Sequence, residues 1–234
     1  MIGPLQFRRR VPGRSIPAIL WFDACRFLVE CSLRLLYRYR VLDRRRIPRE
    51  GAVLVIANHV SFLDPMLVGS AMSDRQFSPM ARDTLFKGFF GRLLRSYGCI
   101  PVRREGGDAA AMKAALGELA AGRCVAIFPE GTRSEDGTMQ PFRRGVLLLV
   151  RRAKVRIVPM GVAGSHEVWP KGRSRPRLRG RVVVAVGEAI EPTAVSDAEE
   201  SAALALLEQA VGAQAARART AVAGRRPPPD SLPA

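Results

Sequence analysis

Residues 52–64 read Ala52-Val53-Leu54-Val55-Ile56-Ala57-Asn58-His59-Val60-Ser61-Phe62-Leu63-Asp64. The unbroken apolar run at 52–57 has the length and composition of a strand buried on both faces, the kind found inside parallel sheets. It stops at polar Asn58-His59, and Ser61 is a residue type that caps helices, so a helix is predicted over 61–72. Strand, polar turn and helix form the repeating unit of an α/β fold. The turn lies at the strand's C-terminal end, where such sheets place their ligands. His59 sits in that turn and Asp64 in the first turn of the helix.

Outward from this unit the same alternation continues. Strands are predicted at 77–81, 99–102, 124–128, 156–162 and 182–186, and helices at 84–96, 108–121 and 143–153, with Gly122 placed to end the middle helix. The expected fold is α/β, a mixed, largely parallel sheet sandwiched by helices. Ser196 with Glu199 makes a capping box for a C-terminal helix reaching about residue 216. Residues 217–234, rich in Arg and Pro, are expected to lack fixed structure. No internal repeat is present.

Ahead of the α/β body, residues 17–42 have helical periodicity, over roughly 40 Å at the usual rise. Asp23, Arg26, Glu30, Arg34 and Arg38 form a polar stripe among Leu20, Trp21, Phe22, Phe27, Leu28, Leu33, Leu35, Leu36 and Tyr37. Arginines flank it: Arg8, Arg9, Arg10 and Arg14 before, Arg40, Arg44, Arg45, Arg46 and Arg49 after. Two readings fit, an amphipathic anchor on an anionic membrane surface or a helix that covers the sheet and never meets lipid. Trp21, Phe22 and Tyr37 suit an interface. The chain thus divides into a basic membrane-association segment at 1–50, a catalytic domain at 51–216 and a tail at 217–234.

The whole chain of 234 residues carries a net charge of +17, with 47% hydrophobic and 25% charged residues. The first two proportions are ordinary for one globular domain. The charge implies an anionic partner: a membrane surface, a phosphorylated substrate or nucleic acid. Nearly all of it is Arg, since Lys occurs only at 87, 113, 154 and 171. No helix-turn-helix, zinc-finger or aromatic RNA-binding pattern supports nucleic acid. Cys25, Cys31, Cys99 and Cys124 lack metal-site spacing and lie in apolar runs, so reduced thiols in the cytoplasm are expected. No uncharged apolar run reaches the length of a membrane span. The short run at 16–22 after Arg8-Arg9-Arg10 ends at Asp23 without a small-residue cleavage site and is not read as a signal peptide.

Three further blocks follow the His59 block in order: Gly98-Cys99-Ile100-Pro101-Val102-Arg103-Arg104, Phe128-Pro129-Glu130-Gly131-Thr132-Arg133 and Val158-Pro159. An alcohol oxygen is a poor nucleophile until its proton is removed, and an imidazole steadied by a carboxylate removes it well. His59 with Asp64 supplies that pair; alternatively His59 is structural and Asp64 a favourable charge at a helix start. Arg133 and Arg104 can each clamp a phosphate through a two-pronged hydrogen bond, or stand as solvated loop arginines. Gly131 permits close backbone approach, and Glu130 could accept from a glycerol hydroxyl or hold Arg133. Val158-Pro159 would close a pocket wall.

Ser61 and Cys99 could serve as acyl-enzyme nucleophiles, though a cap and a core residue are the plainer roles. Residues 84–96, with Phe86, Phe89, Phe90, Leu93 and Leu94, read as core-packed or as a lip where lipid passes. Lys171, Arg173, Arg175, Arg177, Arg179 and Arg181 alternate, so an extended segment would show them on one face. That ribbon would meet anionic lipid, the phosphates of coenzyme A or an acidic carrier protein, or be a solvated hairpin.

The four blocks together resemble those of the glycerolipid acyltransferase superfamily, specifically 1-acyl-sn-glycerol-3-phosphate (lysophosphatidate) acyltransferases. The likeness covers about residues 51–190. It implies acyl transfer from acyl-CoA or acyl carrier protein to the sn-2 hydroxyl of lysophosphatidate, giving phosphatidate, with no metal and no cofactor. It implies His59 as base, Asp64 as its partner, and Arg104, Glu130, Gly131, Thr132 and Arg133 as acceptor-binding. Val158 and Pro159 become acyl-pocket or supporting residues. Where many members carry Asp before the second-block arginine this chain has Arg103, so the resemblance leaves either Arg103 or Arg104 as the arginine that meets the phosphate. Pro101 replaces an aromatic residue common there. The resemblance also implies a peripheral or monotopic enzyme on the cytoplasmic face of the cell membrane. Related chemistry on glycerol 3-phosphate, a lysophospholipid or a lyso-aminolipid is the nearest alternative, and a non-catalytic basic binding protein a remote one.

Overall fold

The apolar run at 53–57 is the middle strand of a seven-stranded sheet, which accounts for its being apolar on both sides. The computed structural model describes residues 15–72, 75, 77–103 and 109–224. Helix α1 (Ile16–Tyr37) precedes β1 (Arg40–Leu42), β2 (Val53–Ala57) leads to α2 (Asp64–Ala71), and β3 (Phe77–Arg82) to α3 (Gly88–Ser96). Next come β4 (Ile100–Val102), α4 (Ala109–Ala120), β5 (Cys124–Ile127), α5 (Gly145–Ala153) and β6 (Arg156–Ala163). The one-turn α6 (Ser165–Val168), β7 (Val183–Val186), the short α7 (Thr193–Ser196) and the long α8 (Glu200–Val222) complete the described fold.

The strand order is β1-β7-β6-β2-β5-β3-β4, and every neighbouring pair is parallel except β6 with β7. This is the mixed, largely parallel sheet that the alternation predicts. Side chains alternate across it. Val53, Val55 and Ala57 of β2 join the core with Phe22, Leu33 and Tyr37 of α1 and Leu67, Val68 and Ala71 of α2. Leu54 and Ile56 face the other way, into Ala115 and Leu119 of α4, Leu147 and Val150 of α5, and Leu207 and Val211 of α8. Each such buried aliphatic side chain contributes about 1.5–3 kcal/mol.

Helix α1 packs with its polar stripe turned partly inward. Glu30 is only 7% exposed, and its carboxylate accepts from Arg26 (2.8 Å), Arg34 (2.6 Å) and Arg44 (3.2 Å). Ile19, Phe22, Leu33 and Tyr37 pack inward, with the Phe22 ring stacked on Tyr97 at 4.2 Å. Leu20, Trp21, Phe27, Leu28 and Leu35 face outward, Leu35 being 84% exposed. The helix therefore both covers the sheet and shows solvent an apolar face. Among the described residues no helix is long and apolar enough to cross a membrane. The four cysteines are free thiols.

The structure departs from the expected boundaries for reasons of tertiary pairing. The first helix ends at Tyr37 rather than residue 42, because Arg38 turns left-handed (φ 46) and caps the Leu33 carbonyl. Residues 40–42 then pair with β7, so a boundary at residue 50 divides a strand from its own sheet. Helix α2 starts at Asp64; the Ser61 hydroxyl instead accepts from Leu63 N and donates to the Trp169 carbonyl. Glu199, not Ser196, caps α8, accepting from Ser201 N and Ala202 N. That helix runs to Val222, with Ala218 buried and Arg217 bonded to Asp43 at 2.6 Å. Residues 217–222 are thus packed helix rather than tail, and 225–234 lie outside the described residues. The basic run at 171–181 forms turns rather than a strand, although its Lys and Arg side chains are all exposed.

The tightest packing is where α8 crosses β6. A Cβ on Gly161 would lie 2.0 Å from Ala215 N and from the Gln214 carbonyl carbon, backbone atoms that cannot step aside singly. Gly161→Ala is therefore expected to lift α8 off the sheet and lower stability by about 3 kcal/mol. Urea unfolding of the two proteins measures it, and an unchanged midpoint would show that the crossing has slack.

Candidate active site

The site is built where β2 and β5, paired in parallel with Ile56 opposite Ile127, end side by side. His59 leaves β2 and the 130–134 loop leaves β5, and the loop grips the histidine peptide from both sides. His59 N donates to Glu130 Oε1 (2.7 Å), and Ser134 N donates to the His59 carbonyl (2.9 Å). Phe128 stacks against the imidazole with ring centroids 4.2 Å apart. Just before it, the Asn58 side chain mimics a strand residue: Nδ2 donates to the Val162 carbonyl (3.0 Å) and Oδ1 accepts from Val162 N (2.7 Å).

Asp64 is wholly buried and accepts from four groups. Oδ2 lies 3.0 Å from His59 Nδ1 and takes Val60 N and Ser61 N at 2.7 Å each. Oδ1 takes the Ser165 hydroxyl at 2.7 Å. A carboxylate offers lone pairs only, so Nδ1 is the imidazole's donor and Nε2 carries the lone pair. A half-buried imidazole held in this tautomer is arranged to take a proton from a hydroxyl at Nε2. His166, the other histidine, meets the Val60 carbonyl through Nδ1 at 3.2 Å and braces the turn.

Glu130 has a different part from either one expected. It is 3% exposed, and both oxygens are engaged, Oε1 by His59 N and Oε2 by Gln140 N (3.0 Å). It cross-braces two loops, its carboxylate engaged by backbone N–H groups rather than by Arg133. Burial pushes its carboxyl up to about 7, against the lowering effect of the two backbone N–H groups. Gly131 takes a left-handed turn (φ +71) where a Cβ would lie 2.6 Å from Arg143 Nε, a nitrogen that donates to the Glu130 carbonyl. Thr132 is exposed at the tip of the loop.

Arg133 lies over the Phe62 ring, its guanidinium carbon 3.3 Å from the ring centroid, and Phe62 packs on Trp169 at 5.1 Å. Such a cation–π contact is worth about 1–2 kcal/mol when partly dry. Burial, and then the positive charge of Arg82, pull the Arg133 pKa down, while Asp64 acts the other way. One buried Nη1 of Arg133 has no hydrogen-bond partner among the described residues. A desolvated guanidinium with donors to spare, beside a second arginine, is a seat for an anion. Arg103 is exposed at the end of β4, and Arg104 lies outside the described residues.

Val158 and Pro159 pair with Val55 and Ile56 inside the sheet and are buried below the site. From mid-strand they support β2, the strand that carries His59. Ser61 is committed to the Trp169 carbonyl, and Cys99 is a half-buried residue before β4. Sequence reasoning missed Ser165, Asn58, Phe62 and Arg82. Asn58 and Phe62 lie inside the first block, but only the fold brings Ser165 and Arg82 to it from distant strand ends.

A family model described as Acyltransferase matches residues 38–163. The chain is 31% identical over 165 residues to human 1-acyl-sn-glycerol-3-phosphate acyltransferase beta, covering 69% of this chain and 59% of that protein. To the Bacillus subtilis 1-acyl-sn-glycerol-3-phosphate acyltransferase it is 25% identical over 158 residues, covering 66% and 78%. To the mouse alpha protein it is 31% identical over 152 residues, covering 64% and 53%. The match thus spans between about half and four-fifths of these relatives' lengths. The crystal structure of the 1-acyl-sn-glycerophosphate (LPA) acyltransferase PlsC from Thermotoga maritima shares the fold, with a TM-score of 0.73 at 24% identity over 88% of this chain and 83% of that one.

Two substitutions test this geometry. Ser165→Ala removes one of the hydrogen bonds that fix Asp64, and turnover should fall roughly tenfold, as one charge-assisted bond of about 1.5 kcal/mol predicts. KM should stay level, and Ser165→Thr should restore part of the rate; an unaltered rate in the Ala variant would remove Ser165 as a positioning residue. Glu130→Gln removes a raised carboxyl. Such a group stabilises the fold below the ordinary glutamate range and loses that stability as pH rises through about 7. The stability of the wild type relative to the Gln variant should therefore decline across that window, and equal pH profiles would count against a raised carboxyl.

Proposed function

Because the chain belongs to the acyltransferase family, we propose that it transfers a fatty acyl group from acyl-CoA or acyl carrier protein to the sn-2 hydroxyl of 1-acylglycerol 3-phosphate. The product is phosphatidate. The observation that carries this reading is the buried Asp64 holding His59 with no partner for Nε2 among the described residues, and interacting by charge with a half-dry Arg133. The relatives named for that reaction support the acceptor.

In this mechanism the acceptor's phosphate lies against Arg133, with Arg82 adding charge; Arg103, at the end of β4, and Arg104 are further candidates by sequence. The sn-2 hydroxyl meets Nε2. As its oxygen attacks the thioester carbonyl, the hydroxyl proton passes to Nε2, and Asp64 stabilises the imidazolium that forms. The tetrahedral oxyanion then collapses, the carbon–sulfur bond breaks, and the thiolate leaves, taking the proton from the imidazolium. Bonds and protons balance with no acyl-enzyme, consistent with Ser61 being tied to Trp169. The step calls for no cofactor besides the acyl donor.

The outward apolar face of α1, among many arginines, supports a peripheral position on an anionic cytoplasmic leaflet, where a lyso-lipid acceptor resides. Lysophosphatidate, the acyl donor and that membrane surface are its proposed partners.

Purified protein in mixed micelles with oleoyl-CoA and radiolabelled lysophosphatidate should form phosphatidate. His59→Ala should lower turnover by roughly 10²–10⁴-fold, the usual worth of a positioned base. Arg133→Ala should chiefly raise KM for the acceptor. Near-normal turnover in the His59 variant would remove the proposed base. Transfer to glycerol 3-phosphate or a lyso-aminolipid in preference to lysophosphatidate would reassign the acceptor.

A further inference from the structure

The end of α1 and the basic run before β7 enclose a cleft of about 430 Å³ that takes no part in the site described above. Leu35, Leu36, Arg38, Arg179, Gly180 and Arg181 line it. We propose that this cleft binds an anionic phospholipid, its arginines on the headgroup phosphate and its leucines against the acyl chains. This lipid is distinct from the acceptor. The proposal rests on the reading that the enzyme works at a lipid surface.

The arginines are held together by backbone rather than by chance. Val182 N donates to the Tyr37 carbonyl and Arg40 N to the Val182 carbonyl, both at 3.1 Å. Arg38 and Arg181 therefore flank the start of one parallel ladder from opposite strands. Gly180 lets the chain pass close against α6, since a Cβ there would lie 2.6 Å from Val168 Cγ2. Among the described residues Arg38, Arg179 and Arg181 make no ion pair, and Arg181 gives one Nη1 to the Val222 carbonyl at 3.5 Å. Arg38 and Arg181 lie two positions ahead of the Arg40–Val183 pair, and like charges facing each other across a ladder are unfavourable until an anion lies between them. Guanidinium forks match phosphate oxygens in pairs.

The apolar half of the cleft chooses among anions. Leu35 is the most exposed large hydrophobic residue described, at 84%. Leu36 lines the same cleft, and the outward face of α1 continues from them through Leu28 and Phe27 to Leu20. These positions recur every seven or eight residues, along one helix face. An acidic protein surface would satisfy the arginines and leave that apolar strip uncovered. A phosphate headgroup with chains beneath it satisfies both.

The test is sedimentation with phosphatidylcholine vesicles containing phosphatidate, a readout that needs no turnover. It therefore fails or succeeds independently of the acyl-transfer reading. Arg38→Gln, Arg179→Gln and Arg181→Gln are combined in one variant. A control carries Arg49→Gln, Arg152→Gln and Lys154→Gln, exposed residues that precede β2 and β6 at the opposite end of the sheet. At about fivefold per basic residue near the surface, the cleft variant should bind roughly a hundredfold more weakly. The control should change far less, and the cleft variant should keep its micellar activity. Equal losses in the two variants would reduce the effect to net charge and overturn the site. Inorganic phosphate that displaces the vesicles more than chloride of equal ionic strength would make it a site for free phosphate. A raised KM for acyl carrier protein with unchanged vesicle binding would assign it to a carrier protein. Should the triple variant fold poorly, Leu35→Gln on its own, at a largely exposed position, should weaken vesicle binding, and unaltered binding would overturn the proposal.

Discussion

The arrangement of the candidate site depends on one buried carboxylate. Asp64 has no contact with solvent, and its four bonds tie the turn after β2, through Val60 N, Ser61 N and the His59 imidazole, to α6 through Ser165. A buried charge without such partners would cost several kcal/mol, so the turn cannot relax without exposing that cost. The same constraint fixes the tautomer of His59. Ring orientation and tautomer thus follow from a single desolvated group at the start of α2.

A second brace comes from the neighbouring strand. Glu130 reaches from the end of β5 to the His59 peptide and, with its other oxygen, to Gln140. Ser134 N completes the grip on the His59 carbonyl. The acidic residue of the third block therefore braces the peptide that carries His59. Arg133, three positions later, is left with Phe62 and Trp169 as its platform and with an unengaged Nη1. One loop thus stabilises the histidine with its first residue and presents a cation with its fourth.

Much of this was legible because it is local. The strand at 53–57, the turn that carries His59 and the helix beyond it occupy one continuous stretch, and burial on both faces imprints an unbroken apolar run. The parallel body followed from repetition of that unit. What escaped was set by partners distant in sequence. Residues 40–42 look helical from their neighbours, and become a strand because β7 offers a ladder. Ser196 and Glu199 make a plausible capping box, yet a short helix absorbs the serine and the glutamate caps alone. Ser165 carries no signature beyond following a strand; its role exists only because β6 ends beside β2.

The division of labour between charge and apolar surface follows from range. A net charge of +17 draws the protein toward any anionic surface, but screening confines that pull to about 8 Å at physiological salt. Attraction of that kind governs encounter more than residence, and it neither orients the molecule nor distinguishes a membrane from another polyanion. Residence and orientation need short-range contacts on one side only. Helix α1 supplies them by spending its polar stripe on the Glu30 cluster and leaving Leu20, Phe27, Leu28 and Leu35 outward. Had the stripe faced solvent, the same composition would have made an ordinary covering helix. On the proposed function, the inward ion cluster is thus what frees an apolar face for lipid.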